Sequence, residues 1–188
     1  MSIDWLDIRY LNRGTERQQQ AFRCLSSLNI LEDLSAYSPL LAGTIPIDID
    51  IEESDLDILC EVPDLMRFTD RLEQLYRHYE GFEIGQTILQ DKSDAAVCGF
   101  VYDGFCIEIF GQNRPVMKQN GYLHMAVEHR LLAMTDPGTK EHIRRLKRLG
   151  LKTEPAFAHY FRIEGDPYAE LLLLEPLSDQ ELKEKLSL

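Results

Sequence analysis

Between Cys24 and Met66 the chain carries neither lysine nor arginine. The same stretch holds ten carboxylates: Glu32, Asp33, Asp48, Asp50, Glu52, Glu53, Asp55, Asp57, Glu61 and Asp64. Any of these that meet in the fold must find a partner from elsewhere, and a hard divalent cation is the usual one. The shortage of base extends to the whole chain, with 20 Lys and Arg against 32 Asp and Glu and a net charge of -12. A dedicated nucleic-acid binder carries the opposite sign. The balance therefore argues against nucleic acid as the partner and for a small molecule or a protein, although a local basic patch could still hold a structured RNA. Long apolar runs are also missing. None approaches the roughly 18 residues of a spanning helix, and the opening Met-Ser-Ile-Asp-Trp lacks the basic region and apolar core of a signal segment. The expectation is a cytoplasmic protein with no membrane partner.

Other chemistries are excluded by what is scarce. Cys24, Cys60, Cys98 and Cys106 sit in apolar contexts without metal-ligand spacing. They read as reduced core thiols. His124 and His129 are five residues apart, a poor spacing for one ligand face, and His78, His142 and His159 are isolated. Structural or surface roles are expected for all five. Gly81, Gly85 and Gly99 form no Walker or dinucleotide loop. There are no repeats and no low-complexity segments.

What is present centres on residues 40–62, LLAGTIPIDIDIEESDLDILCEV. An apolar run ends in Gly43-Thr44, a loop follows, and Ser54-Asp55-Leu56-Asp57-Ile58 leads into Leu59, Cys60 and Val62. The second half alternates like a half-buried strand. Asp55 and Asp57 then leave the same face, about 7 Å apart along the strand. The bland reading is a solvated acidic loop at a strand start.

The order Gly-Thr, loop, Ser-Asp-Leu-Asp-Ile resembles the signature of the nucleotidyltransferase superfamily built on the polymerase-beta-type palm. Thr44 stands where serine is commoner and keeps the hydroxyl. That family also needs a third carboxylate on a later strand. Glu108, isolated within Phe105-Cys-Ile-Glu-Ile-Phe110, is the candidate, with glutamate in place of the commoner aspartate.

Along the chain, residues 2–34 read as helical. Ser2 would cap a short helix to Leu11, and Thr15 would cap a second carrying Phe22, Leu25 and Leu28 on one face. A strand is expected over 40–44, then the strand bearing Asp57, ended by Pro63. Asp64 would cap a helix over 65–79, stopped by Gly81. Strands follow over 82–89, 95–102 and 105–110, with Asp103-Gly104 as a tight hairpin that sets the register of Glu108. Helices are expected over 122–134, 139–149, from Thr153 to near Gly165, from Asp166-Pro167 to Pro176, and from Ser178 to Leu186. Trp5, Phe157, Tyr160 and Phe161 should pack between helices. The Gly111–Gly121 linker separates a nucleotidyltransferase-like core, residues 1–112, from a helical C-terminal part, residues 113–188, which could form one compact unit. The fold class is α+β: a mixed sheet flanked by helices, followed by that helical part.

The C-terminal strings Gln119-Asn-Gly-Tyr-Leu-His-Met, Gly150-Leu-Lys-Thr-Glu-Pro-Ala-Phe-Ala and Gly165-Asp-Pro-Tyr resemble an uncharacterised bacterial family, a domain of unknown function sharing the nucleotidyltransferase-like signature. The likeness spans essentially the whole chain. It implies the fold and names no substrate.

The chemistry follows from the residues. Nucleotidyl transfer joins a hydroxyl to the alpha-phosphorus of a nucleoside triphosphate. Two magnesium ions about 4 Å apart stabilise the attacking and leaving oxygens. Asp55, Asp57 and Glu108 would hold Mg2+, or Mn2+, and Glu108 could take the hydroxyl proton. Gly43 would let the backbone approach the phosphates, and Thr44 would donate a hydroxyl. Ser54 is expected to shape the turn rather than touch substrate. The only dense basic cluster is Lys140, Arg144, Arg145, Lys147, Arg148 and Lys152. On a helix Lys140, Arg144 and Lys147 share a face, which in the bland reading is solvated around Ile143, Leu146 and Leu149. For phosphate contact Lys152 leads, with Lys118 and Arg114 as alternatives. The leading expectation is a metal-dependent transferase moving a nucleoside monophosphate from a triphosphate, ATP foremost, to a hydroxyl of a small molecule or protein. The alternative is a noncatalytic binding or regulatory module on the same fold. A third is an acidic structural protein without a ligand.

Overall fold

The computed structural model describes residues 3–188. The Ser2 cap lies outside the described residues. The first helical segment is a 3-10 helix over Ile8–Arg13, capped by Asp7, whose carboxylate accepts the Arg9 N–H at 3.0 Å. Helix α1, Glu16–Leu28, opens on a capping box. The Thr15 hydroxyl accepts from Gln18 N, and the Gln18 side chain accepts from Thr15 N. A short α2, Ile30–Asp33, leads into the sheet.

The sheet has five strands: β1 Leu40–Ala42, β2 Leu56–Glu61, β3 Glu83–Ile88, β4 Asp94–Tyr102 and β5 Phe105–Gln112. Their spatial order is β1-β2-β5-β4-β3. Only β2 and β5 run parallel. Their connection is helix α3, Leu65–Tyr76, capped by Asp64, followed by the β3–β4–β5 meander. Asp103 and Gly104 both have positive φ, 48° and 76°, as a tight turn between antiparallel strands requires. Strand β1 is two residues shorter than the pattern suggests, because Gly43 at φ +84° swings the chain out of the ladder.

Side chains alternate across this sheet. On one face Leu56, Ile58, Cys60, Cys98, Phe100, Ile107 and Ile109 pack with α1 and α3 in a first core that includes Phe68 and Leu72. On the other, Leu40, Ala42 and Leu59 join a second core with the C-terminal helices. Those helices are α4 Asn120–Ala133, α5 Gly138–Arg148, α6 Thr153–Phe161, α7 Pro167–Leu174 and α8 Asp179–Leu186. Helix α6 stops four residues before Gly165, where Arg162 takes the left-handed conformation at φ 56°. Phe157 and Phe161 stack at 6.0 Å and Trp5 meets the His129 ring edge-on, so the aromatics do pack helices. Cys24, Cys60 and Cys98 are buried thiols. Cys106 is exposed, contrary to the expectation, because it shares a strand face with Glu108 rather than with Ile107.

The loop 43–54 is clasped from two sides. From α1, Gln18 Nε2 donates to Ile45 O at 2.9 Å and Pro46 O at 3.1 Å. From α5, Arg144 donates to Asp48 O at 2.6 Å and Lys140 pairs with the Asp48 carboxylate at 2.9 Å. Lys147 Nζ donates to Ile49 O at 3.0 Å. The basic face of α5 is therefore not solvated. It is the remote base that the acidic stretch lacks locally. Ile143 and Leu146 are buried, whereas Leu149 is 73% exposed. Gln18→Ala would orphan two loop carbonyls and the Thr15 N–H. We expect a loss of about 1–3 kcal/mol in urea unfolding; unchanged stability would show that the loop does not depend on this clasp.

Candidate active site

Parallel pairing puts Asp57 directly beside Glu108 in the β2–β5 register. Strands lie about 4.8 Å apart and aligned side chains leave the same face, so the ladder itself forces the two carboxylates together. Asp55, two residues before Asp57, stays within electrostatic reach of both. Burial pushes the Asp57 carboxyl up to about 7, with Glu108 and then Asp55 adding to the rise and Lys147 opposing it. Glu108 is raised by removal from water and by Asp55, while Lys152 works the other way.

Gly43 turns its backbone against this pair. A Cβ there would overlap Asp57 Oδ2, so glycine is required by space as well as by φ. Thr44 Oγ1 donates to Ser54 Oγ at 3.1 Å, and Ser54 Oγ also accepts the Ile51 N–H at 2.9 Å. Ser54 thus shapes the turn before β2, as its position in sequence suggests. Gly43, Thr44, Asp57 and Glu108 line one cleft of about 810 Å³ between the sheet and the C-terminal helices. Asp55 instead borders an adjoining groove with Glu108 and Cys106.

Lys152 caps the start of α6 and acts on both Glu108 and Glu154. Arg114 lines the cleft but is held by Asp91 at 2.7 Å. Lys118 is exposed on the 3-10 turn Val116–Lys118 and is not among the lining residues.

The opposite wall was missed by reading the sequence. His124 Nδ1 lies 3.2 Å from Glu154 Oε1, and its Nε2 lies 3.0 Å from Tyr168 O. Both partners are acceptors, an arrangement that favours the doubly protonated ring. Burial opposes that charge, but Glu154 and the Tyr168 carbonyl outweigh it and raise the pKa. Glu128, one turn on along α4, is 3% exposed and also lines the cleft. Burial and Glu154 hold its carboxyl well above the usual range, against Lys147. Lys147 is itself depressed to about 8 by burial, despite Asp50 and Glu128. An isolated histidine and a glutamate on an otherwise apolar helix face gave no signal in sequence.

Would these residues suit a divalent cation? The donors are hard carboxylate oxygens whose mutual repulsion Lys147 and Lys152 offset only in part, which fits magnesium chemically. Among the described residues, no three carboxylate, histidine or cysteine side chains converge into a ready-made metal cluster. The arrangement is a close pair, Asp57 and Glu108, with Asp55 beside it.

Residues 23–174 match the family described as a domain of unknown function, DUF4269. The chain belongs to that family. No curated protein matches the DUF4269 chain by sequence. By structure, 89% of it superposes on the GLD-2/RNP-8 complex structure at 12% identity and TM-score 0.51, covering 62% of that chain. A Cid1 poly(U) polymerase mutant bound to MgATP matches 88% at 14% identity and TM-score 0.51, covering 52% of that chain. The polymerase core of TRAMP, an RNA surveillance complex, matches 89% at 14% identity and TM-score 0.50, covering 51%. The DUF4269 chain thus spans between half and two thirds of these proteins. The likeness establishes the polymerase-beta-like nucleotidyltransferase fold, an α+β mixed sheet flanked by helices.

Because Asp57 is held near 7 when folded and near 3.8 when unfolded, the folded state binds the extra proton between those values. Its cost to stability is absent below about pH 4, grows from pH 4 to 7, and is full above. Asp57→Asn should therefore stabilise the metal-free protein by about 4 kcal/mol at pH 8 and leave it nearly unchanged at pH 4. Thermal unfolding at the two pH values checks this, and equal effects at both would contradict it.

Proposed function

We propose that this protein is a metal-dependent nucleotidyltransferase that moves a nucleoside monophosphate from a triphosphate, ATP foremost, to a hydroxyl on a small molecule or protein. The observation that carries the reading is the registered pair Asp57–Glu108 with the Gly43 backbone pressed against it. That geometry costs stability and has no evident structural use.

Asp57, Glu108 and Asp55 would hold magnesium or manganese, which when bound supplies charge stabilisation for the attacking and leaving oxygens. The protein's own part is positioning. Gly43 leaves room for the phosphates beside Asp57. Thr44 can turn its hydroxyl from Ser54 toward a phosphate oxygen. Lys152 brings positive charge to the Glu108 side of the cleft. Glu108, its basicity raised, can accept the proton of the attacking hydroxyl. The Cid1 structures hold MgATP or MgGTP by their descriptions, which supports a magnesium-bound nucleoside triphosphate as the donor. By their descriptions one structural neighbour is a poly(U) polymerase and another is the polymerase core of an RNA surveillance complex. The acidic lining here favours a different acceptor, since a polyanion would meet Asp57, Glu108, Glu128 and Asp166. The noncatalytic alternative keeps the fold without transfer, and no specific feature of the site favours it.

The test is incubation of the protein with each common nucleoside triphosphate, magnesium and a pool of polar hydroxyl compounds, read by mass spectrometry for a nucleotidyl adduct. We expect an adduct whose formation falls roughly a thousandfold, about 4 kcal/mol, in Asp57→Asn. An adduct formed equally by that variant would place the chemistry elsewhere.

A further inference from the structure

The cleft is unevenly charged once its internal pairs are set aside. Arg114 is neutralised by Asp91 at 2.7 Å, and His124 by Glu154 at 3.2 Å. Asp57, Glu108, Glu128 and Asp166 remain among the lining residues, with no lining base to match them. Asp166 has a local task, since its carboxylate caps α7 by accepting Tyr168 N at 3.2 Å. Asp57 and Glu108 belong to the catalytic pair.

Glu128 belongs to neither. It is 3% exposed, and its buried Oε1 has no hydrogen-bond partner among the described residues. The nearest base in electrostatic terms, Lys147, directs its ammonium group at Ile49 O, 3.0 Å, and Ser54 Oγ, 3.5 Å. A buried carboxyl oxygen with nothing to accept from costs roughly 1–3 kcal/mol. The Glu128 side chain lines the open cleft, so a ligand donor that reached this covered oxygen through a side-chain rotation would offset that cost. An anion arriving without a divalent cation would be repelled by Asp57, Glu108 and Asp166. A cation is attracted by all of them.

We infer that Glu128 is the receptor for an ammonium group on the acceptor, so that the molecule modified is a hydroxyl compound that also carries an amine. The inference rests on the transferase reading above. Glu154 and Lys147 are the charges that act on Glu128, while His124 on the same helix and Asp57 line the same cleft. In the empty cleft burial and Glu154 favour the protonated form of the Glu128 carboxyl. An arriving ammonium forms an N–H···O bond to the carboxylate, and the Glu128 proton leaves to buffer.

The test is calorimetry on the full chain, with diaminopropanol as probe and glycerol, in which hydroxyls replace both amines, as control. Wild type should bind the diamine at least about tenfold more tightly than glycerol. At pH 7 the heat should vary with the ionisation enthalpy of the buffer, reporting proton release. Glu128→Gln, an isostere of the protonated side chain, should lose that preference and the proton release while keeping metal-dependent ATP binding. Glu73→Gln, on the exposed side of α3, should change nothing. Equal binding of diamine and glycerol by wild type would overturn the inference. So would a Glu128→Gln variant that keeps the diamine and loses ATP, which would make Glu128 a reader of the nucleotide. Diamine binding that depends on Glu128, in a wild type that never binds ATP with metal, would sink the transferase reading and uphold the receptor.

Discussion

The repulsion between Asp57 and Glu108 is the constraint around which the molecule is arranged. It is imposed by backbone hydrogen bonding. Six consecutive pairs tie β2 to β5, from Leu56–Ile107 to Glu61–Gln112, and the apolar partners of that ladder are buried on the far face. A slip of one residue would separate the carboxylates but would also turn Ile58 and Cys60, or Ile107 and Ile109, out of the first core, depending on which strand moved. The core therefore holds two acids together that would otherwise part. Strain maintained by surrounding structure in this way belongs to sites that bind something.

The loop 43–54 translates this into a cleft. It carries Gly43 and Thr44 to the acid pair, and it has no base of its own. Its backbone carbonyls are taken up by Gln18 from one side and by Arg144 and Lys147 from the other. The N-terminal and C-terminal helices thus share in fixing the position of one glycine. Lys147 links the two halves of the site most directly, since its charge acts on Asp57 and on Glu128 alike.

Much of the Asp57 side of the cleft could be read from the sequence. Alternation around Asp57 and Glu108, the Gly-Thr before the loop and the Asp103-Gly104 hairpin each report a local rule, and the sheet obeys them. Their pairing across strands rests on β2 and β5 being parallel neighbours, which no local pattern states. The second wall could not be read in the same way. His124 meets Glu154, and Lys147 reaches back to Ile49, a separation of 98 residues. Such contacts depend on how α4, α5 and α6 dock, and a charged helix face looks the same in sequence whether water or an acidic loop covers it. Cys106 was misplaced for a simpler reason: in a strand with one apolar face, the parity of a small residue decides its side, and Glu108 had already set that parity.

The central claim is that Asp57 and its neighbours bind a nucleoside triphosphate through a divalent cation. Calorimetric titration of ATP, with and without magnesium or manganese, in wild type and Asp57→Asn tests it most directly. The account predicts binding that requires the metal and disappears in the variant. Binding indifferent to both metal and substitution would contradict it.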